Sequence, residues 1–278
     1  MIMTSERYAF GRDYAESTRL VGQHHLWKET LGYLTHPSIL LDSECLRIAD
    51  VGTGTGIWLF DLAKYLLPST QLDGFDISSA GYPHESWLPN NVSLKTWNAF
   101  EEPHESYLGR YDLVHLRLFQ IAIDNNDPSL LLQNCIKLLK PGGVIQWEEY
   151  DLNAQKIVAS NASVTTDNLK AFAETTRKQK NCSWVSDLPR AFEHHGLTHL
   201  SVSRLHEHRW HTRALTEMNL VLADNFANHL DMPDSPGSAN SLRQLAKRVY
   251  AEVEQGAGIE QTLQVVIGRK AFLAERET

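Results

Sequence analysis

The chain has 278 residues, 42% hydrophobic and 22% charged, an ordinary globular balance that buries a core without disulfide or metal staples. Acidic residues outnumber basic ones, 34 against 26, for a net charge of −8, and no Lys/Arg run supplies the basic face that nucleic-acid binding needs. No stretch approaches the ~20 apolar residues of a membrane span. Cys45, Cys135 and Cys182 are widely spaced and form no CxxC or zinc pattern, which fits a reducing compartment. The opening MIMTSERYAF has no apolar signal region, and the sequons at Asn91, Asn161 and Asn181 read as chance. The expectation is a cytoplasmic protein with neither a nucleic-acid nor a membrane partner.

Residues 16–34 predict an opening helix, with Leu20, His24, Trp27, Leu31 and Leu34 on one stripe. His36-Pro37 ends it, because the residue before proline is pushed out of the helical region. Strands and helices then alternate. Leu46–Val51 is a short apolar run stopped by glycines, as a buried parallel strand would be. Gly56–Leu67 reads as a helix, Gln71–Phe75 and Val92–Thr96 as strands, and Tyr111–Leu116 as a fourth strand. Asp127-Pro128 signals a helix start, Lys140-Pro141-Gly142-Gly143 stops that helix, and Val144–Trp147 is the fifth strand. This rhythm predicts a Rossmann-like doubly wound α/β fold, its seven-stranded sheet mostly parallel.

The C-terminal half is less regular. Residues 164–179 are weakly helical, Ser186 looks like the cap of a helix closed by Gly196, and Leu197–Arg204 reads as a strand. Two helices follow, on Leu215/Met218/Leu222/Phe226 and on Leu242/Leu245/Val249/Val253, joined by a Pro/Gly/Ser loop at 231–238. Thr262–Ile267 is the last strand, so the two helices form an insertion before it. The expected organisation is a single domain over 1–278: a helical lid at 1–40, a cofactor-binding core at 41–152, and acceptor-side helices and last strands at 153–278.

The segment Asp50-Val51-Gly52-Thr53-Gly54-Thr55-Gly56-Ile57 lies between the first strand and a helix, where a doubly wound fold binds nucleotide-like ligands. Its spacing is G-x-G-x-G. Ile57 stands where the dinucleotide fingerprint G-x-G-x-x-G needs its third glycine, which counts against a nicotinamide dehydrogenase. Asp50 directly before the loop suits a positively charged ligand better than a pyrophosphate. That points to S-adenosylmethionine, which carries a sulfonium and an ammonium and no phosphate. Asp76 closes the second strand, 24 positions after Gly52, where a carboxylate holds ribose hydroxyls.

The runs IADVGTGTGIWLFDLA, GFDIS, YDLVHLRL and LLKPGGVIQWEE, with ESTRLVGQHHLW upstream, resemble the class I S-adenosylmethionine-dependent methyltransferases. More narrowly they resemble the fungal branch of secondary-metabolite methyltransferases, including the gliotoxin-pathway N-methyltransferase and the LaeA-type regulators. The resemblance is strong over residues 7–152 and only in outline beyond. It implies that Asp50, Gly52, Thr53 and Gly54 surround the methionine part of the cofactor, and that Asp76 and Ile77 meet the ribose and adenine. It also implies that Asn98 reaches the adenine edge and that His115, Leu116 and Arg117 lie beneath the sulfonium. Tyr14, Arg19, Gln23 and His24 would form the lid, Arg19 and Gln23 sharing a helix face.

Methyl transfer is an in-line displacement in which the cofactor supplies the leaving group, so the protein mainly positions the reactants and excludes water. A base helps a hydroxyl or thiol acceptor more than a neutral amine. His115 is the first candidate base, or else a strand histidine bonded to backbone. Glu148 is the second; strand alternation sends Glu148 and Glu149 to opposite sides, so at most one faces the site. His24 and His25 are the third. His206, His208 and His211 invite a metal reading, but no placed carboxylate completes a site and no metal is expected. Trp58, Trp147, Trp184 and Trp210 either line a pocket or pack in the core.

The expected function is methyl transfer to an N, O or S atom of a small, partly hydrophobic natural product. Phe172, Met218, Leu222 and Phe226 would wall the acceptor pocket. A LaeA-like regulator that keeps the fold and a protein methyltransferase are the alternatives.

Overall fold

The computed structural model of the chain describes residues 13–179, 182–230 and 238–272. Residues 1–12 of the expected lid and most of the 231–238 loop lie outside them. Helix α1 (Tyr14–Leu31) starts where the Asp13 carboxylate accepts the Glu16 N–H at 3.0 Å. It ends at Gly32, left-handed at φ 74°, whose N–H returns to Lys28 O.

Strand β1 (Arg47–Val51) leads through the glycine loop into α2 (Ile57–Leu62), then β2 (Gln71–Asp76) and β3 (Val92–Thr96). Helix α2 stops a turn before Leu67, because the next amides bond three residues back, Lys64 to Asp61 and Tyr65 to Leu62, and tighten the chain. Strand β4 (Tyr111–Arg117) precedes α3 (Ser129–Leu138), which has Pro128 at its N-cap while the Asp127 carboxylate accepts the Ser129 N–H. Strand β5 (Leu139–Tyr150) is longer than the Val144–Trp147 run.

Next come β6 (Lys156–Ala159), α4 (Asp167–Gln179) and α5 (Trp184–His194). Ser186 lies inside α5 and does not cap it. The first-turn amide of Trp184 is taken by Asn126 Oδ1 from across the fold, a cap that local sequence cannot show. Strand β7 (Leu197–His206), α6 (Thr212–Leu230), α7 (Ser238–Glu254), β8 (Ala257–Glu260) and β9 (Thr262–Lys270) complete the described chain. Strands β6 and β8 form a small antiparallel sheet that the sequence patterns did not reveal.

The main sheet has seven strands in the order β3-β2-β1-β4-β5-β9-β7. Six run in the same direction, and β9, between β5 and β7, is antiparallel to both of its neighbours. The order reverses beside β1, whose partners are β2 and β4, and this switch point is where doubly wound sheets open a ligand crevice. Alternate strand residues feed two cores. Ala49, Val51, Leu116 and Trp147 pack with α3 and α5, while Ile48, Leu72, Leu113 and Val265 pack with α1 and α2. A third cluster joins α4, α7 and β8 through Phe172, Val249 and Ile259.

Candidate active site

The loop after β1 owes its shape to three left-handed glycines, Gly52, Gly54 and Gly56, at φ 72°, 58° and 80°. The amides of Gly52 and Thr53 both donate to Phe75 O, and the Gly54 amide donates to Asp76 Oδ2 at 2.9 Å. The end of β2 thus fixes the loop while leaving the Asp76 side chain half-buried at the mouth. A cleft opens there, lined by Gly52, Asp76, Ile77, Asn98, Arg117 and Phe119 among others. A Cβ at Gly52 would come within 2.6 Å of the Phe119 ring, so only glycine keeps this wall flat.

The far wall is strained. Leu118 sits at φ 60°, a conformation rare for a branched side chain. It is held from both sides: its own amide donates to Glu148 O, and the next amide, of Phe119, donates to Glu149 Oε1 at 2.7 Å. Glu149 also accepts from Trp147 Nε1, and its Oε2 is buried without a partner. Burial pushes the Glu149 carboxyl up to about 8. Phe119, Trp97 and Phe100 belong to this cleft and were not among the expected site residues. The FQ and WNAF segments after strand ends were the signal for them.

Asp50 is placed differently from expectation. It is buried, accepting from Thr53 Oγ1 and from His115 Nδ1, both at 2.7 Å, and it does not line the cleft. His115 is buried as well, stacked on Trp58 with ring centroids 3.9 Å apart, and its Nε2 lies 3.6 Å from Glu148 Oε2. Burial lowers the His115 pKa, but the Asp50 and Glu148 carboxylates outweigh it and the net shift is upward. The ring sits between two carboxylates that favour its protonated form. Glu148 in turn accepts from Trp27 Nε1 and Gln146 Nε2. His115 and Glu148, the expected bases, line none of the described cavities. Both are held in the hydrogen-bonded network behind the cleft wall, where His115 joins Asp50 and Glu148. Leu116 is likewise wholly buried in the α3 side of the core, and its neighbour Arg117 reaches the cleft instead.

The expected lid residues fall into three places. Tyr14 is exposed, beside an open groove that also includes Thr55 and Tyr82. Arg19 and Gln23 line a small cavity between α1 and α6. His24 is wholly buried, 3.2 Å from Asp61 Oδ2 and 3.4 Å from Arg117. Burial first, and Arg117 second, lower its pKa to about 4, so it is neutral at pH 7. Trp27 is buried to 1% exposure and packs edge-on against Tyr150 at 4.6 Å. The second half of α1 is therefore core, and only the first half can behave as a cover. Trp147 and Trp184 are core residues, and Trp210 is exposed, stacked on His208. Among the described residues no group of His, Cys, Asp and Glu could hold a metal, and no helix is long and apolar enough to cross a membrane.

A methyltransferase-domain family model matches residues 49–145, the stretch from β1 to β5. The methyltransferase grgD of Penicillium sp is 30% identical over 86% of this chain and 88% of its own. The chain belongs to the class I S-adenosylmethionine-dependent methyltransferases. Its branch is the fungal secondary-metabolite one. The N-methyltransferase verN of Clonostachys rogersoniana is 33% identical over 51% of this chain and 50% of its own. The secondary metabolism regulator LAE1 of Hypocrea atroviridis is 31% identical over 54% and 42%. The chain thus spans about half, or less, of these last two proteins.

The cleft of this methyltransferase suits the cofactor. The glycine wall admits a flat nucleoside, and Asp76 and Asn98 put hydrogen-bonding side chains on the lining beside the aromatic Phe119. S-adenosylmethionine supplies the electrophilic methyl group and its own leaving group, leaving the protein to orient and enclose the reactants.

Proposed function

We propose that the methyltransferase acts as one domain and transfers its methyl group to an N, O or S atom of a small, partly hydrophobic natural product, with nitrogen first among the three. The observation that supports this reading is the cavity between α1 and α6. It lies at the carboxyl ends of the strands, and Met218 and Leu222 supply apolar wall from α6. Phe172 packs instead in the α4–α7 cluster, and Phe226 lines no described cavity. The N-methyltransferase relative favours nitrogen. A neutral amine needs no base, which agrees with the burial of His115 and Glu148. Asp76, Asn98 and Phe119 hold the nucleoside, and Gly52 and Gly54 let the backbone approach it.

The test is incubation with S-adenosylmethionine carrying a trideuteromethyl group and a fungal small-molecule extract, read by mass spectrometry. A low-molecular-mass product labelled on nitrogen is expected. Label found only on protein would favour the second reading, a regulatory or protein methyltransferase, which the LAE1 relative keeps in view.

A further inference from the structure

We propose that Glu149 is a positioning residue of the cofactor cleft, its carboxyl holding the turn that sets the Phe119 ring against Gly52. This rests on the proposed function, in which Phe119 helps to hold the nucleoside, and deepens it by naming what keeps that ring in place.

The β4–β5 ladder ends at the pair Arg117 and Glu148. Strand β5 runs on to Tyr150, while the other chain turns away at Leu118, whose φ of 60° takes it out of the strand. The Phe119 amide is left without a backbone partner in a buried place, where an unpaired N–H is costly. The Glu149 side chain supplies the acceptor, Oε1 receiving that amide at 2.7 Å. The bonds on either side go to backbone oxygens of β5. Leu118 N–H donates to Glu148 O, and Gln120 Nε2 donates to Tyr150 O. A side chain thus stands in for one rung of the ladder at the residue that reaches the cleft.

The carboxyl is itself held. Trp147, two residues back on the same face of β5, donates its indole N–H to the same Oε1 at 2.7 Å. The Trp147 ring stands edge-on to Phe119, with centroids 6.3 Å apart, and packs on Trp184 and Phe192 of α5. One acceptor therefore fixes both the Phe119 backbone and the ring packed against it. Tolerance at the other end is small, since the Phe119 ring lies 2.6 Å from a Cβ built on Gly52. A turn released at Glu149 would let the ring leave the glycine wall. Reach, not charge, is what the turn requires. Burial pushes the Glu149 carboxyl up to about 8, so it is mostly protonated at pH 7 and a neutral amide of the same length can replace it.

Calorimetric titration of the full chain with S-adenosylhomocysteine at pH 7 tests this. Phe119→Ala should weaken binding. Glu149→Asp keeps the acid but falls one methylene short of the amide, and should weaken binding about tenfold, the worth of one hydrogen bond. Glu149→Gln keeps the reach and should stay within about twofold of wild type. The double variant Glu149→Asp/Phe119→Ala should bind no more weakly than Phe119→Ala alone, because the carboxyl acts through that ring. Additive losses, full affinity in Glu149→Asp, or a loss in Glu149→Gln equal to that in Glu149→Asp would overturn the inference. A second measurement needs no variant to fold. Coupling is reciprocal, so hydrogen exchange at the wild-type Phe119 amide should slow when S-adenosylhomocysteine binds, and an unchanged rate would overturn the inference as well. Full affinity in Phe119→Ala would remove the ring from the nucleoside site, and the inference with it. Loss in Phe119→Ala with none in Glu149→Asp would leave that site standing and remove the inference alone.

Discussion

His115 and Asp50 stand directly opposite one another on β4 and β1, and the His115 Nδ1 donates to Asp50 Oδ1 across 2.7 Å. The bond ties the strand below the cleft to the residue that opens the glycine loop. With Glu148 on its other side, the imidazole holds together two carboxylates that would otherwise repel in a buried space. Removing it by His115→Ala leaves Asp50 and Glu148 uncompensated and should cost about 3–5 kcal/mol of stability in denaturant unfolding. The pH dependence has a definite sign. The folded pKa of His115 is raised, so its stabilisation is complete below the unfolded value near 6.5 and is lost as pH rises through the folded value. His115→Gln should remove that alkaline decline, and a variant that keeps the wild-type pH profile would show that the imidazolium is not what holds the site.

Glu149 acts with the opposite economy of charge. Its carboxyl titrates near 8 when folded and near 4.5 when unfolded, so the native state binds the extra proton between those values. Stability then falls as pH climbs from about 4.5 to 8. Glu149→Gln keeps an acceptor for the Phe119 amide and the Trp147 indole while removing the ionisable group. It should flatten that slope and raise the unfolding midpoint at pH 8 with little change at pH 5. An unchanged slope would contradict the assignment.

The two halves of α1 should exchange hydrogen differently. His24, Trp27 and Leu31 are buried against the sheet, while Tyr14 and Ser17 border an open groove. Residues 14–20 should gain protection when S-adenosylmethionine binds, and residues 24–31 should be slow with or without it. Equal protection along the whole helix in the free protein would remove any closing motion.

Asp76→Ala should weaken S-adenosylmethionine binding by about 1.5–3 kcal/mol, the worth of hydrogen bonds to a charged acceptor. Asp76 also holds the Gly54 amide, so the companion variant Asp76→Asn should fall between the two. Full affinity in Asp76→Ala would remove the residue from the ribose site.

The cofactor half of the molecule was legible because its chemistry is written in backbone demands. Three glycines at positive φ leave a spacing that side chains cannot imitate, and Asp76 is fixed at a strand end. What alternation along β1 and β4 could not reveal was which end-of-strand side chains turn inward. Asp50, His115 and Leu116 are core, while Arg117 and the unremarked Phe119 line the cleft. Strands β6 and β8 escaped notice because four residues such as Lys156–Ala159 carry too short a pattern to separate from a loop. The start of α5 escaped because its cap comes from Asn126, 58 positions away.

The central claim is that the cleft of Gly52, Asp76 and Phe119 is built for an adenosyl sulfonium and not for a dinucleotide. Calorimetric titration of the wild-type chain with S-adenosylmethionine and, separately, with NADH addresses it most directly. The account predicts saturable binding of S-adenosylmethionine at one site per chain and no heat from NADH; tight NADH binding, or none by S-adenosylmethionine, would contradict it.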